Sequence, residues 1–249
     1  MNHRILKSII FDQHEIIKNF HINKREYNFD LNANYVLVGL RRAGKSTLLY
    51  KIAQDLIKQG IEWNQIIYIN FEDERLTDFT IKDFNDILLV QSELSNKKGY
   101  FFFDEIQNIA GWEQFARRLA DSKEHIFITG SNAKMLSSEI EKTLGGRFLS
   151  KYISPYNFRE FLTAKQQDFS ESSILSTKSS GKIIRNFTEY FYFGGFPETV
   201  NFMEKREYVS SIYQKILLGD IATRNNIRNL TGLKILIKKI AETTKDEIS

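Results

Sequence analysis

The chain of 249 residues carries 35 Lys and Arg against 31 Asp and Glu, a formal net charge of +4 with a pI near 9.0, and no cysteine. Without cysteine it can build neither a disulfide nor a thiolate metal site, and His3, His14, His21 and His125 are spaced too widely for a His-x₃-His pair, so they read as solvated or structural. The mild basic excess permits a nucleic-acid partner without demonstrating one. No signal-peptide pattern is present and apolar runs such as GYFFFD fall far short of the ~18 residues of a membrane span, so a cytoplasmic location is expected. The length suits an α/β core with a second, smaller unit of about 80–90 residues.

Tyr35 to Val38 form an apolar run suited to a buried parallel strand, ended by Gly39. The period then changes: Leu48, Leu49, Ile52, Ala53, Leu56 and Ile57 share one helical face, and Gly60 follows where a helix stops. Between strand and helix, Gly39-Leu-Arg-Arg-Ala-Gly44-Lys45-Ser46 fits G-x-x-x-x-G-K-[ST]. A strand turning into a helix through such a loop aims successive N–H groups and the positive helix end at one point, where an anion belongs. Gly39 and Gly44 let the backbone curl around phosphates. Lys45 would neutralise β/γ oxygens, the Ser46 hydroxyl would ligate Mg²⁺, and Thr47 could reach the α-phosphate of ATP.

A triphosphate site of this kind needs an acidic strand end beside it. Tyr100 to Phe103 lead into Asp104 and Glu105, the pattern of a Walker B segment. Asp104 would hold Mg²⁺ through water, and Glu105 would orient and deprotonate an attacking water. Ile66–Asn70 and 125–132 read as further strands, with a helical stripe at Trp112, Phe115, Ala116, Leu119 and Ala120 between strands. Phe148 to Pro155 reads as a fifth strand. Ser131 and Asn132 end a strand, where they either sense a γ-phosphate or cap the next helix. Glu72, Asp73 and Glu74 read as a solvated turn.

Residues 164–182 are rich in serine, lysine and glutamine and read as a flexible connector or insertion. Beyond them, stripes at Ile183, Ile184, Phe187, Tyr190 and Phe191, and at Tyr208, Val209, Ile212, Tyr213, Ile216 and Leu217, make a small helical lid, broken at Gly194-Gly195. The aromatics of EYFYFGGFPE read as core packing and a tight turn. The last stretch carries one helical stripe from Leu233 to Ala241 and stops where a second helix would start. The division expected is therefore 1–163, core with an N-terminal helical segment; 164–182, connector; and 183–249, lid and the start of an incomplete winged-helix-like module, as in a shortened piece.

Taken together, GLRRAGKST, YINFEDERL, FFFDEIQ, ITGSN, LGGRF and FGGFPE resemble the prokaryotic AAA-type ATPases related to the archaeal ATPase and STAND groups, over residues 4–225. The resemblance implies an α/β, three-layer P-loop NTPase fold with parallel sheet order 5-1-4-3-2, and relatives that continue into a winged helix and a C-terminal domain that this chain lacks. It implies that Gly39, Arg41, Gly44, Lys45, Ser46 and Thr47 form the phosphate loop, that Asp104 and Glu105 are the acidic pair, and that Ser131 and Asn132 are the polar sensor. Arg147 matches a Gly-Arg of relatives that could act as an arginine finger, in its own subunit or in a neighbour's site; it also suits an ordinary helix C-terminus. The expected partners are ATP and ADP, with a homo-oligomer compatible with the finger and DNA compatible with the incomplete module. The function expected is MgATP hydrolysis coupled to lid or partner movement. A nucleotide-dependent switch or scaffold with negligible hydrolysis is the alternative, and a kinase is disfavoured by the carboxylate beside Asp104.

Overall fold

Five short, apolar strands, each ending near a polar residue or glycine, dictate the architecture. In the computed structural model, which describes residues 1–131, 143–223 and 225–243, they lie in one parallel sheet. The strands are β1 (Asn34–Gly39), β2 (Ile66–Asn70), β3 (Tyr100–Asp104), β4 (His125–Ser131) and β5 (Phe148–Tyr152). Their spatial order is β2-β3-β4-β1-β5, the order the resemblance implied. The register brings Gly39 opposite Ser131 and Asn70 opposite Asp104, so the carboxyl ends of four strands form one edge.

Both faces of the sheet are covered over β1 to β4, so side chains of either parity there are apolar, whereas the edge strand β5 is partly exposed. Val36, Val38, Ile67, Ile69, Phe101, Phe103, Ile126 and Ile128 face one layer of helices, α1 (His3–Asn19), α3 (Phe84–Leu94) and α4 (Trp112–Asp121). Tyr35, Leu37, Ile66, Tyr68, Phe102 and Phe127 face α2 (Lys45–Lys58). The stripe read for α2 is its buried face, and Gly60, at φ 94°, is the left-handed residue that ends it. The stripe read for α4 is buried at Trp112, Phe115, Ala116 and Leu119. His14 is structural: its Nε2 lies 2.7 Å from the Ile66 carbonyl, and burial lowers its pKa.

The helical part of the chain comprises α5 (Phe158–Ala164), α6 (Glu171–Leu175), α7 (Thr177–Phe193), α8 (Lys205–Gln214), a π-helical continuation (Lys215–Thr223) and α9 (Leu230–Glu242). The serine-rich stretch 164–182 contains α6 and the first turns of α7. Asp168 nucleates that structure by accepting from the Ser170 N–H at 2.9 Å and from the hydroxyls of Ser170 and Ser173. The stripe on α7 is not a core face: Phe158 and Phe161 meet only Phe187 and Tyr190, while Phe191 stays 73% exposed. Ile212 and Leu217 of the next stripe are buried. No helix among the described residues is long and apolar enough to cross a membrane.

Phe102 sits at the centre of one face, fully buried and stacked between Tyr68 and Phe127 at 6.0 and 4.9 Å. Phe102→Ala should leave a cavity against α2 and lower unfolding free energy by about 3–5 kcal/mol in urea titrations. A loss under 1 kcal/mol would mean that the sheet can close over the gap.

Candidate nucleotide site

The loop between β1 and α2 is shaped by close approaches that a side chain would block. A Cβ on Gly39 would lie 2.1 Å from the Ile153 carbonyl oxygen, so only glycine allows the chain after β5 to lie against this turn. Gly44 has φ +95°, and a Cβ there would meet Arg25 Nη1 at 3.1 Å. Lys45, the first residue of α2, is 4% exposed, and its Nζ donates to the Gly39 and Leu40 carbonyls at 3.2 and 3.1 Å. An ammonium has three protons, so the same nitrogen can also donate to an anion in the loop. Burial holds its pKa down, and the charges of Glu105 and Asp104 oppose that shift.

At the end of β3, Asp104 is 2% exposed. It accepts the Tyr68 hydroxyl at 2.9 Å and the Thr129 hydroxyl, and Ser46 also hydrogen-bonds to it. Burial raises its pKa, while bonds from Thr129 and Ser46 pull the other way. Thr129 has a second role: its Oγ1 accepts the Glu105 N–H at 3.0 Å, so one buried hydroxyl aligns both acidic residues. Glu105 takes a left-handed conformation at φ 53°, and its Oε2 accepts from Gln107 Nε2 at 2.5 Å. The hard oxygens of Ser46 and Asp104, brought together here, are the donor set that suits Mg²⁺.

Lys45, Ser46 and Glu105 border a cavity of about 520 Å³. Gly44 to Thr47 and Glu105 line it, together with Tyr156, Pro197 and Glu198. Both loop arginines turn toward the helical region. Arg41 pairs with Asp220 at 3.4 Å and with Glu72 at 3.6 Å, and Arg42 pairs with Glu198 at 2.7 Å. Glu72, read as part of a solvated turn, therefore lines the cavity. Thr129, Tyr68, Arg25 and Glu198 were not singled out from sequence. Only Thr129, a polar residue inside an apolar central strand, carried a local signal.

Arg147 is not brought to this site. It directly precedes β5, its carbonyl accepts from Asn34 Nδ2 at 3.3 Å, and its guanidinium binds Asp121. Asn34 opens β1 whereas the loop follows its other end, so Arg147 lies about 15–20 Å away at the opposite sheet edge. A finger acting in its own subunit is thereby excluded. Ser131 is opposite Gly39 in register, and Asn132 lies outside the described residues.

A parallel 5-1-4-3-2 sheet with a phosphate loop after β1 and an acidic pair after its third strand defines a P-loop nucleotide-binding domain. The chain belongs to the AAA domain family, whose model matches residues 32–162. It is 36% identical to an uncharacterized protein of Methanocaldococcus jannaschii over 98% of this chain and 55% of that protein. It is 37% identical to an uncharacterized protein of Haemophilus influenzae over 83% of this chain and 50% of that protein, so it spans about half the length of these relatives. The Saccharomyces cerevisiae Hsp104–ADP complex overlaps 96% of this chain and 38% of its own at 13% identity and a TM-score of 0.46. The Aeropyrum pernix ORC1 protein in complex with DNA overlaps 84% of this chain and 65% of its own at 14% identity and a TM-score of 0.34. Overlaps this loose carry no functional argument.

The burial of Asp104 has a pH signature. Its folded pKa lies above the ordinary carboxylate value, so in the window between the two the folded state holds a proton that the unfolded state has lost. Stability therefore falls as pH rises through that window. Asp104→Asn, measured without nucleotide or divalent metal, should melt at higher temperature than wild type at pH 7, and the advantage should shrink as pH falls toward ~4. An equal or lower melting temperature at pH 7 would show that the polar partners fully offset the burial.

Proposed function

We propose that the protein binds MgATP across residues 39–47 and hydrolyses it, with Glu105 as general base, and that nucleotide state is transmitted to the C-terminal helical region as to a lid. One observation carries the reading: Lys45, Ser46 and Glu105 line one cavity, with Asp104 hydrogen-bonded to Ser46 beside them, and Pro197 and Glu198 of the helical region line the same cavity. Lys45 and the loop amides would bind the phosphates, and Thr47, which lines the cavity, would serve the α-phosphate. Ser46 and Asp104 would hold Mg²⁺, which when bound supplies charge neutralisation at the β and γ oxygens. Thr129 fixes the Glu105 backbone, and the Glu105 carboxylate takes the proton of the attacking water. Because Arg41 and Arg42 hold Asp220 and Glu198, a change of charge inside the loop acts directly on contacts with the helical region. The chain divides, in this reading, into a core, a short serine-rich helical connector and a lid.

Glu105→Gln keeps size but removes the base, so turnover should fall by about 10²-fold or more while ATP binds at least as well. Equal turnover would remove Glu105 from the chemistry. The bond from Gln107 to the Glu105 carboxylate favours a second reading, a nucleotide-dependent switch in which this base is held out of use. Wild-type turnover indistinguishable from buffer, with tight ATP binding retained, would select it.

Arg147 can serve only the site of a second copy. Glu105→Gln chains mixed with Arg147→Ala chains should then recover activity that neither has alone, and turnover per chain should rise with protein concentration. No recovery on mixing, with concentration-independent turnover, would leave Arg147 as the partner of Asp121 and nothing more.

A further inference from the structure

Among the described residues, the most deeply buried cation outside the nucleotide-facing ones is Arg25, in the irregular segment between α1 and β1. Its side chain is 3% exposed, and it spends its guanidinium on three separate pieces of chain. Nε donates to Glu160 Oε1 at 2.9 Å, Nη2 to the Ser154 carbonyl at 2.7 Å, and Nη1 to the Ala43 carbonyl at 3.0 Å. The rings of Tyr27 and Tyr156 lie 5.1 and 4.8 Å from the guanidinium carbon. Glu160 is equally buried and accepts from the Glu26 N–H at 2.7 Å and the Asn157 N–H at 3.1 Å, so it cannot swing away. The planar fork is thus fixed on every side before it meets the loop.

Ala43 precedes Gly44, and no cis peptide bond is present in the described chain. In a planar trans peptide the carbonyl and the N–H point in opposite directions. With the Ala43 carbonyl held by Arg25, the Gly44 N–H points the opposite way, and Gly44 itself lines the cavity. Gly44 has a wide conformational range of its own, and the absence of a side chain there leaves only 3.1 Å between its would-be Cβ and Nη1. The guanidinium therefore supplies the restraint that glycine cannot.

We propose that Arg25 is a positioning residue for the phosphate loop: by holding the Ala43 carbonyl it presets the Gly44 N–H as a donor to the nucleotide's phosphates. The inference rests on the nucleotide-binding reading of the loop. Lysine at position 25 keeps the charge but cannot span the three acceptors at once. Preorganisation is a binding effect, so its loss falls on KM and Kd; Glu105 and Asp104, fixed by Thr129, keep kcat.

The test compares wild type, Arg25→Lys and Lys45→Ala by calorimetry with MgATP and by steady-state turnover, with thermal melting as the fold control. Arg25→Lys should raise Kd and KM for MgATP by about tenfold, the worth of one charge-assisted contact, and leave kcat within about threefold. A role in folding alone would instead lower the active fraction, reducing kcat with KM unchanged, and that outcome overturns the proposal. If Arg25→Lys does not fold, the double variant Arg25→Met with Glu160→Met removes the buried pair at similar volume. It should show the same loss of affinity, and wild-type affinity in it overturns the proposal. If wild type binds and Lys45→Ala does not, while Arg25→Lys binds as wild type does, only the role of Arg25 fails. If wild type itself does not bind MgATP, the nucleotide reading fails and this inference falls with it.

Discussion

A carboxylate taken out of water at the end of β3 constrains the surrounding edge of the sheet. Asp104 is almost fully buried, and each unpaired lone pair on it would cost about 1–3 kcal/mol. Three elements meet that demand: Tyr68 from β2, Thr129 from β4 and Ser46 from α2. Only a parallel arrangement brings these groups to one level, since it places the carboxyl ends of β2, β3 and β4 side by side. Its residual preference for the neutral form is a standing cost of folding, and a divalent cation or a nearby ammonium is the kind of charge that would offset it.

The same register explains why the sheet interior can be so uniformly apolar. With both faces covered, the residues between the ends of β1 to β4 are buried, Phe101, Phe102 and Phe103 among them, while the edge strand β5 is partly exposed. Polar groups are excluded to the strand ends, and the two ends differ. Loops leaving the carboxyl ends gather Gly39, Asp104 and Glu105, while the amino ends gather Asn34, His125 and Arg147. A cleft at one edge and a set of surface ion pairs at the other follow from this one asymmetry.

What could be read from the sequence was whatever is local. The loop glycines, Lys45 and the acidic pair lie within a few residues of their own strand or helix, so strand and helix periods located them. The position of Arg147 was also readable in principle: an arginine just before a parallel strand must lie at the amino edge, away from a loop that follows one. Its Gly-Gly-Arg context drew attention to charge rather than direction. Arg25 and Glu160 were not readable, because they are 135 residues apart and each looks like an ordinary surface charge in its own segment. In the serine-rich stretch composition said nothing of Asp168, whose carboxylate gathers the Ser170 N–H and the Ser173 hydroxyl at the start of α6.

The phosphate loop is joined to the helical region by two kinds of bond with different energies. Through Arg25 it is tied to Glu160 by a buried pair, and removing one partner of such a pair costs about 3–5 kcal/mol. Through Arg41 and Arg42 it is tied to Asp220 and Glu198 by partly exposed pairs, each worth about 0–1 kcal/mol. The first holds the start of α5 to the loop. The second reaches the short turn at Pro197–Val200 and the π-helical stretch, elements further along the chain. The later helices are also anchored by burial, at Thr199, Ile212, Leu217 and Ala222. The Gly194-Gly195 break lies between the two regimes. Gly195 approaches the Tyr156 carbonyl so closely that a Cβ would lie 2.0 Å from it, and its own carbonyl accepts the Tyr156 N–H at 2.7 Å. The later helices are thus joined by backbone to Tyr156, the same residue whose ring packs on Arg25 beside the loop.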